Sequence, residues 1–125
     1  MRKFLSTLLA LFSICFSGVS QNATSVQNGN WMNPLTWSCT CIPLPGFTVT
    51  INHAVALDTG WYLPSGGITI NAGGSLIENN SSRDILVNGG TLTNHGILDI
   101  HYLFVQAGTF SNSGTLTARS LMSYV

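Results

Sequence analysis

Residues Val87–Thr117 read VNGGTLTNHGILDIHYLFVQAGTFSNSGTLT, and within them GGTLTNHGIL and AGTFSNSGTL are nearly the same phrase, eighteen residues apart. Shifting the chain by that step lays Ile85 on Leu103, Val87 on Val105, Gly90 on Gly108, Thr91 on Thr109 and Leu92 on Phe110. The match continues with Asn94 on Asn112, Gly96 on Gly114, Leu98 on Leu116 and Leu103 on Leu121. Apolar falls on apolar and glycine on glycine, the signature of a chain built from stacked, near-identical coils.

Strands carry the repeat. Apolar residues recur at every second position in short runs bounded by Gly and Asn, and no helical stripe exceeds two turns. A coil of this length at ~3.3 Å per residue has a perimeter of about 60 Å, room for three short strands and three corners. The expected fold is therefore all-β: a right-handed parallel β-helix, or β-solenoid, of three to four coils behind an N-terminal cap. Alternate side chains then point inward, so Val87 and Val105, Leu92 and Phe110, and Leu98 and Leu116 should form columns through the core. Each buried aliphatic would contribute roughly 1.5–3 kcal/mol before chain entropy is set against it.

Upstream the match loosens. In GITINAGGSLIEN, Ile68, Ile70, Gly74 and Leu76 align with Ile85, Val87, Gly90 and Leu92 at steps of seventeen or sixteen, with one extra residue around Ala72 and Gly73. TVTINHAVALD places Val49, Ile51, Val55 and Leu57 in alternation and reads as an earlier, divergent coil. Gly89, Gly90, Gly96, Gly108 and Gly114 fall where the chain must bend, with Asn71, Asn88, Asn94 and Asn112 beside them. The asparagines read equally well as turn formers and as amide ladders between coils.

The N-terminus belongs to export rather than to the fold. Arg2 and Lys3 precede an apolar run from Phe4 to Phe16, and Ser17, Gly18 and Ser20 are small residues that a signal peptidase accepts, so residues 1–20 read as a signal peptide cleaved before Gln21. Ile14, just before Cys15, disfavours a lipid anchor there. No run approaches the ~20 apolar residues that span a bilayer, so no membrane span is expected. Without its leader the chain keeps only Arg83 and Arg119 against Asp58, Glu78, Asp84 and Asp99. Two arginines cannot neutralise a phosphate backbone, which excludes a nucleic-acid partner. Residues 21–47 read as the cap segment and 48–125 as coils, truncated at the C-terminus.

Cys39 and Cys41 remain in WSCTC. In an oxidising compartment a local disulfide is the default, although cysteines two apart sit near the distance limit. Free or intermolecular thiols are the alternative, and a metal site lacks further ligands at a suitable spacing.

The segment Asn28 to His53, NGNWMNPLTWSCTCIPLPGFTVTINH, carries W-x-x-P-x-T-W, then P-x-P-G, then an alternating V-x-I. It resembles the start of extracellular β-solenoid domains, among them the glycine-rich domain named for its eight conserved glycines. It is also similar to the N-terminal regions of large secreted bacterial proteins exported by type IX secretion. The resemblance implies that Trp31, Trp37 and Pro34 cover the first coil and shield its sheet edge. It also implies a cover at the other end, yet the chain stops at SLMSYV with Leu121 and Met122 starting a coil. The expectation is a fragment of a longer protein whose remainder stacks on the last coil, with a partner covering that coil as the alternative.

Chemistry is thinner. No nucleophile elbow, P-loop, metalloprotease or EF-hand pattern occurs. Asp99 and His101, two apart on one strand, share a face as a general-base pair would, but adjacent Leu98 and Ile100 claim the interior and make that face a solvated exterior. Arg83, His101 and Arg119 are separated by multiples of the repeat and should stack ~4.8 Å apart, a column that could receive an acidic sugar or sulfate, against which like-charge repulsion acts. Trp61 and Tyr62 in TGWYLPSGG could stack on sugar rings, with core or cap packing the plainer reading for Trp61. His53 and His95 read as turn or flank residues. Four scattered carboxylates do not make a calcium-dependent lyase site.

These residues lead to a secreted, non-catalytic structural or adhesion module with no cofactor, set within a larger extracellular protein. The competing reading is a carbohydrate-binding or polysaccharide-cleaving β-helix that engages an extracellular glycan or cell-surface component through Trp61, Tyr62, Tyr102 or the Arg83–His101–Arg119 column.

Overall fold

The computed structural model describes residues 21–79 and 82–124, so the segment read as an export signal lies outside the described residues. Ten strands follow one another: β1 (Asn22–Thr24), β2 (Gly29–Asn30), β3 (Thr48–Ile51), β4 (Ala54–Leu57), β5 (Trp61–Leu63), β6 (Gly67–Ile70), β7 (Ser75–Glu78), β8 (Asp84–Asn94), β9 (Ile97–Asn112) and β10 (Thr115–Ser123). Every pairing between them is parallel. Sequential strands never pair as hairpins. The chain instead winds as a β-solenoid of about four turns, and among the described residues no helix is long and apolar enough to cross a membrane.

Three faces result. The first stacks β1, β3, β6, the end of β8 and the end of β9. The second stacks β2, β4, β7, the start of β9 and the start of β10. The third stacks β5 with the remaining parts of β8, β9 and β10. The expected core columns are present, because Val87 pairs with Val105, Leu92 with Phe110 and Leu98 with Leu116. Val87, Val105, Leu92 and Leu98 are buried, as are Val49, Ile51, Val55 and Leu57 of the earlier coil. Outward positions of the first face form two ranks: Asn22, Thr48, Gly67, Thr91 and Thr109, and beside them Thr24, Thr50, Thr69, Thr93 and Ser111.

The upstream alignment is corrected. Ile68, Ile70 and Leu76 lie against Leu92, Asn94 and Leu98, while Ile85 and Val87 lie against Trp61 and Leu63. The step is nineteen residues from Val49 to Ile68, twenty-four from Ile68 to Leu92 and eighteen from Leu92 to Phe110. Ala72 and Gly73 lengthen one corner, and the rest of the longer step falls between Glu78 and Asp84. Extra residues at a corner leave the strand pairing on either side intact, so they are readily tolerated there. Glu78, paired with Leu57 at an inward position, accepts the backbone N–H of Arg83 at 3.1 Å and is thereby tied to the second insertion.

Two corner devices follow from the stacking. A Cβ on Gly96 would run into the carbonyl oxygen of Gly74, and one on Gly114 into that of Gly96. Close approach, not positive φ, demands glycine at these two positions, whereas Gly89 and Gly108 do adopt positive φ. Asn94 is fully buried and satisfied: its Nδ2 donates to Asn112 Oδ1 at 2.8 Å and to Thr115 O at 2.9 Å, and its Oδ1 accepts from Gly96 N at 3.1 Å. A second rung joins Asn71 Nδ2 to Asn52 Oδ1 at 2.8 Å. Asn88 belongs to neither rung and donates to the Tyr62 hydroxyl. The ladder reading therefore holds for two separate pairs.

At the N-terminal end Trp31 and Trp37 are buried edge to face at 5.1 Å, with Trp61 against Trp31 at 4.6 Å. Trp37 Nε1 donates to Trp31 O at 2.8 Å. Pro34 is not among the buried residues of this cluster. It is exposed and starts the 3-10 turn Pro34–Thr36, which Asn33 caps by accepting from Leu35 N. Cys39 and Cys41 form a disulfide with Cα atoms 5.1 Å apart, and Thr40 between them has φ 53°. The opposite end is open: Phe110, Leu116 and Ala118 are half-buried and Leu121 is 52 % exposed.

Leu92→Asp puts an unpaired charge in a core column and is expected to unfold the solenoid, whereas Asp99→Ser is expected to be nearly silent. Far-UV circular dichroism and thermal melts check this, and equal sensitivity would reverse the inward and outward assignment. Gly96→Ala is expected to lower stability by about 1–3 kcal/mol because the added methyl meets backbone that cannot retreat. A denaturant titration reads that loss directly.

Candidate functional site

The third face differs from the others on its outside. β5, β8, β9 and β10 place Tyr62, Leu86, Phe104 and Met122 in one outward column, each paired with the next. Tyr62 is 44 % and Met122 40 % exposed, with Leu86 and Phe104 half-buried between them. The neighbouring column holds Asp84, Tyr102 and Ser120. Tyr102 meets Phe104 edge to face at 5.8 Å and packs against His101 at 3.9 Å. The result is a strip of aromatic and aliphatic side chains with a polar rim, the kind of surface that marks interaction sites. Its Tyr62 hydroxyl is fixed by Asn88 at 3.2 Å.

Alternation explains the strip. Val87 and Val105 are inward, so their neighbours Leu86 and Phe104 must be outward, and the strand pleat offers no third choice. Large apolar residues at outward positions are not required by the core, and Leu86, Phe104 and Met122 hold them on three successive coils.

Arg83, His101 and Arg119 do share a corner beside this face. His101 N donates to Arg83 O at 2.9 Å, and Arg119 falls between the Ala118–Ile100 and Ser120–Tyr102 pairs, level with His101. The column is not purely cationic, because Asp84 enters it: its Oδ1 lies 3.2 Å from His101 Nδ1 and accepts from Tyr102 N at 3.1 Å. This carboxylate offsets the crowding of like charges that the bare repeat implied. With side-chain exposures of 18 % for His101 and 44 % for Asp84, the pair contributes at most about 1 kcal/mol. Arg83 Nε is buried without a hydrogen-bond partner among the described residues. Arg119 is exposed.

Of the residues singled out for binding, Tyr62, Tyr102, Arg83, His101 and Arg119 are brought to this face or its corner. Trp61 is not, since it pairs with Ile85 at an inward position and packs on Trp31. His101 is engaged by Asp84, while Asp99 points out between buried Leu98 and Ile100. His53 and His95 occupy corners between the first and second faces, bonded to Ser25 at 2.8 Å and Ser113 at 2.6 Å. Leu86, Phe104, Met122 and Asp84 were missed. The first three stand at exact eighteen-residue steps and were legible by asking which residues repeat on the outward parity. Among the described residues no three of His, Cys, Asp and Glu gather closely enough to hold a metal.

No protein-family model, curated protein or solved structure matches the chain.

Asp84→Ala is expected to lower stability by about 1 kcal/mol through loss of the bonds to Tyr102 N and His101, a fall in melting temperature of roughly 4–8 °C for a domain of this size. Calorimetry on the purified variant checks it, and an unchanged melting temperature would mean that the carboxylate is solvated rather than structural.

Proposed function

We propose that the chain is a non-catalytic module of an exported extracellular protein, a rigid β-solenoid that displays the Tyr62–Leu86–Phe104–Met122 strip to a surface partner. The observation that carries this reading is the placement of large apolar side chains outward on successive coils, where packing alone does not ask for them. Rigidity supports it: the inward columns run from the tryptophan cluster to the last coil, so the strip is held on a scaffold with little freedom to deform. The residues Arg2 to Ser20 support export, and the resemblance of Asn28–His53 to the N-terminal regions of proteins exported by type IX secretion supports an extracellular destination. The open last coil, with a groove of about 390 Å³ lined by Val105, Gly108, Thr109, Phe110, Leu121 and Ser123, suits a further coil of the same protein stacked on it.

A second reading is favoured by Tyr62, Tyr102 and Phe104, whose rings could stack on sugars. It makes the same face a carbohydrate-binding surface.

A glycan array separates the two. Micromolar binding that disappears in Tyr102→Ala and Phe104→Ala would establish the carbohydrate reading, and a silent array is the outcome expected for the structural and adhesive one. Protease shaving of intact cells expressing a C-terminally tagged chain is expected to remove the tag. Full-length precursor retained in the cytoplasm would overturn the extracellular assignment.

A further inference from the structure

The first face carries chemistry that the proposed role does not use. Its two outward ranks hold eight threonine or serine residues in ten positions, the others being Asn22 and Gly67, and no charged residue enters them. Across these five strands the register is continuous. Parallel strands lie ~4.8 Å apart and alternate residues on one strand ~6.7 Å apart, so the hydroxyls occupy the points of a rectangular grid. Threonine is branched at Cβ and stiff about χ1, which keeps those points sharp.

A second observation concerns where the hydroxyls bond. Among the described residues, none of the eight has a hydrogen-bond partner within the protein, whereas Thr36 and Thr59, off this face, each bond a backbone carbonyl. Side chains that merely stitched the coils together would bond to one another along the ranks. These leave their donors and acceptors to whatever lies outside.

The grid selects its occupant by exclusion and by match. A charged ligand finds no charge here. A soluble sugar would stack on aromatic rings, and those are on the third face. A neutral array of donor–acceptor groups at fixed repeats is matched by another such array. The oxygen lattice of hexagonal ice is one, with surface repeats close to both grid spacings. We propose that the first face is an ice-binding surface. Each hydroxyl anchors a water at a lattice point, the neighbouring methyl leaves room for the water cage around it, and many weak contacts form at once along a rigid sheet.

Ice is itself the probe. The full chain, mixed with buffer and exposed to a slowly growing ice surface, is expected to be concentrated in the ice and to slow recrystallisation at micromolar concentration. Thr69→Tyr and Thr93→Tyr, each placing a bulky ring in the middle of the second rank, are expected to lose both effects with unchanged circular dichroism. Thr117→Tyr, at an exposed outward position of the second face, is expected to keep them. An unaltered chain left in the liquid overturns the proposal. So does incorporation that survives both variants, or that is lost in Phe104→Ala instead, or retention on insoluble cellulose or chitin without retention on ice. Because the variants lie on a different face from the aromatic strip, failure here leaves the outcome of the glycan array unchanged.

Discussion

Parallel strands in register satisfy their backbone donors and acceptors only against the coils above and below, and this single requirement organises the molecule. A residue on one coil is held about 4.8 Å from its equivalent on the next, too close for unlike neighbours to be indifferent to each other. Aliphatics must meet aliphatics inside, as Val87 meets Val105. Glycine must meet glycine at the tightest corner, because the carbonyl of Gly74 fills the space a side chain on Gly96 would need.

The larger departures from the pattern lie at corners, and a smaller one is the register shift around Asn88, which pairs with Ala107 between the Val87–Val105 and Thr91–Thr109 pairs. The insertion at Ala72–Gly73 and the extra residues between Glu78 and Asp84 leave the paired strands on each side in parallel register. Asn94 takes the place that Ile51 and Ile70 hold on earlier coils, and it is accepted in the core because Asn112, Thr115 and Gly96 saturate its amide. A buried amide with three partners is tolerable, and one with none would not be. In the first coil, where β1 and β2 stack on β3 and β4, Trp31 and Trp37 are buried and pack edge to face.

The interior is mostly aliphatic, so differences that bear on function are carried outside. The same winding displays hydroxyl ranks on the first face and an aromatic strip on the third, with a corner between the second and third faces where Asp84 lies against His101. Solvent-facing positions are released from the demand for like-on-like packing, and regularity there is a choice of the sequence rather than a consequence of folding. That is why the outward repetition of Thr and of large apolar residues has functional content.

The sequence by itself determined the winding. An eighteen-residue repeat with alternating apolar residues points to parallel stacking, and the columns through Val87, Leu92 and Leu98 were readable residue by residue. The stacking of Arg83, His101 and Arg119 at one corner was also legible from the repeat, whereas the approach of Tyr62 and Tyr102 to that corner was not. Tertiary structure alone decided the register of the earlier coils, since a corner insertion shifts the numbering without changing any local propensity, and a shift of six residues preserves the alternation that sequence reading relies on. It also decided that Trp61 faces Trp31, that Asp84 enters the basic corner and that, among the described residues, the hydroxyls of the first face have no hydrogen-bond partner. Each of these depends on which side chains share a level of the stack, and a linear sequence specifies parity but not level once the coils differ in length.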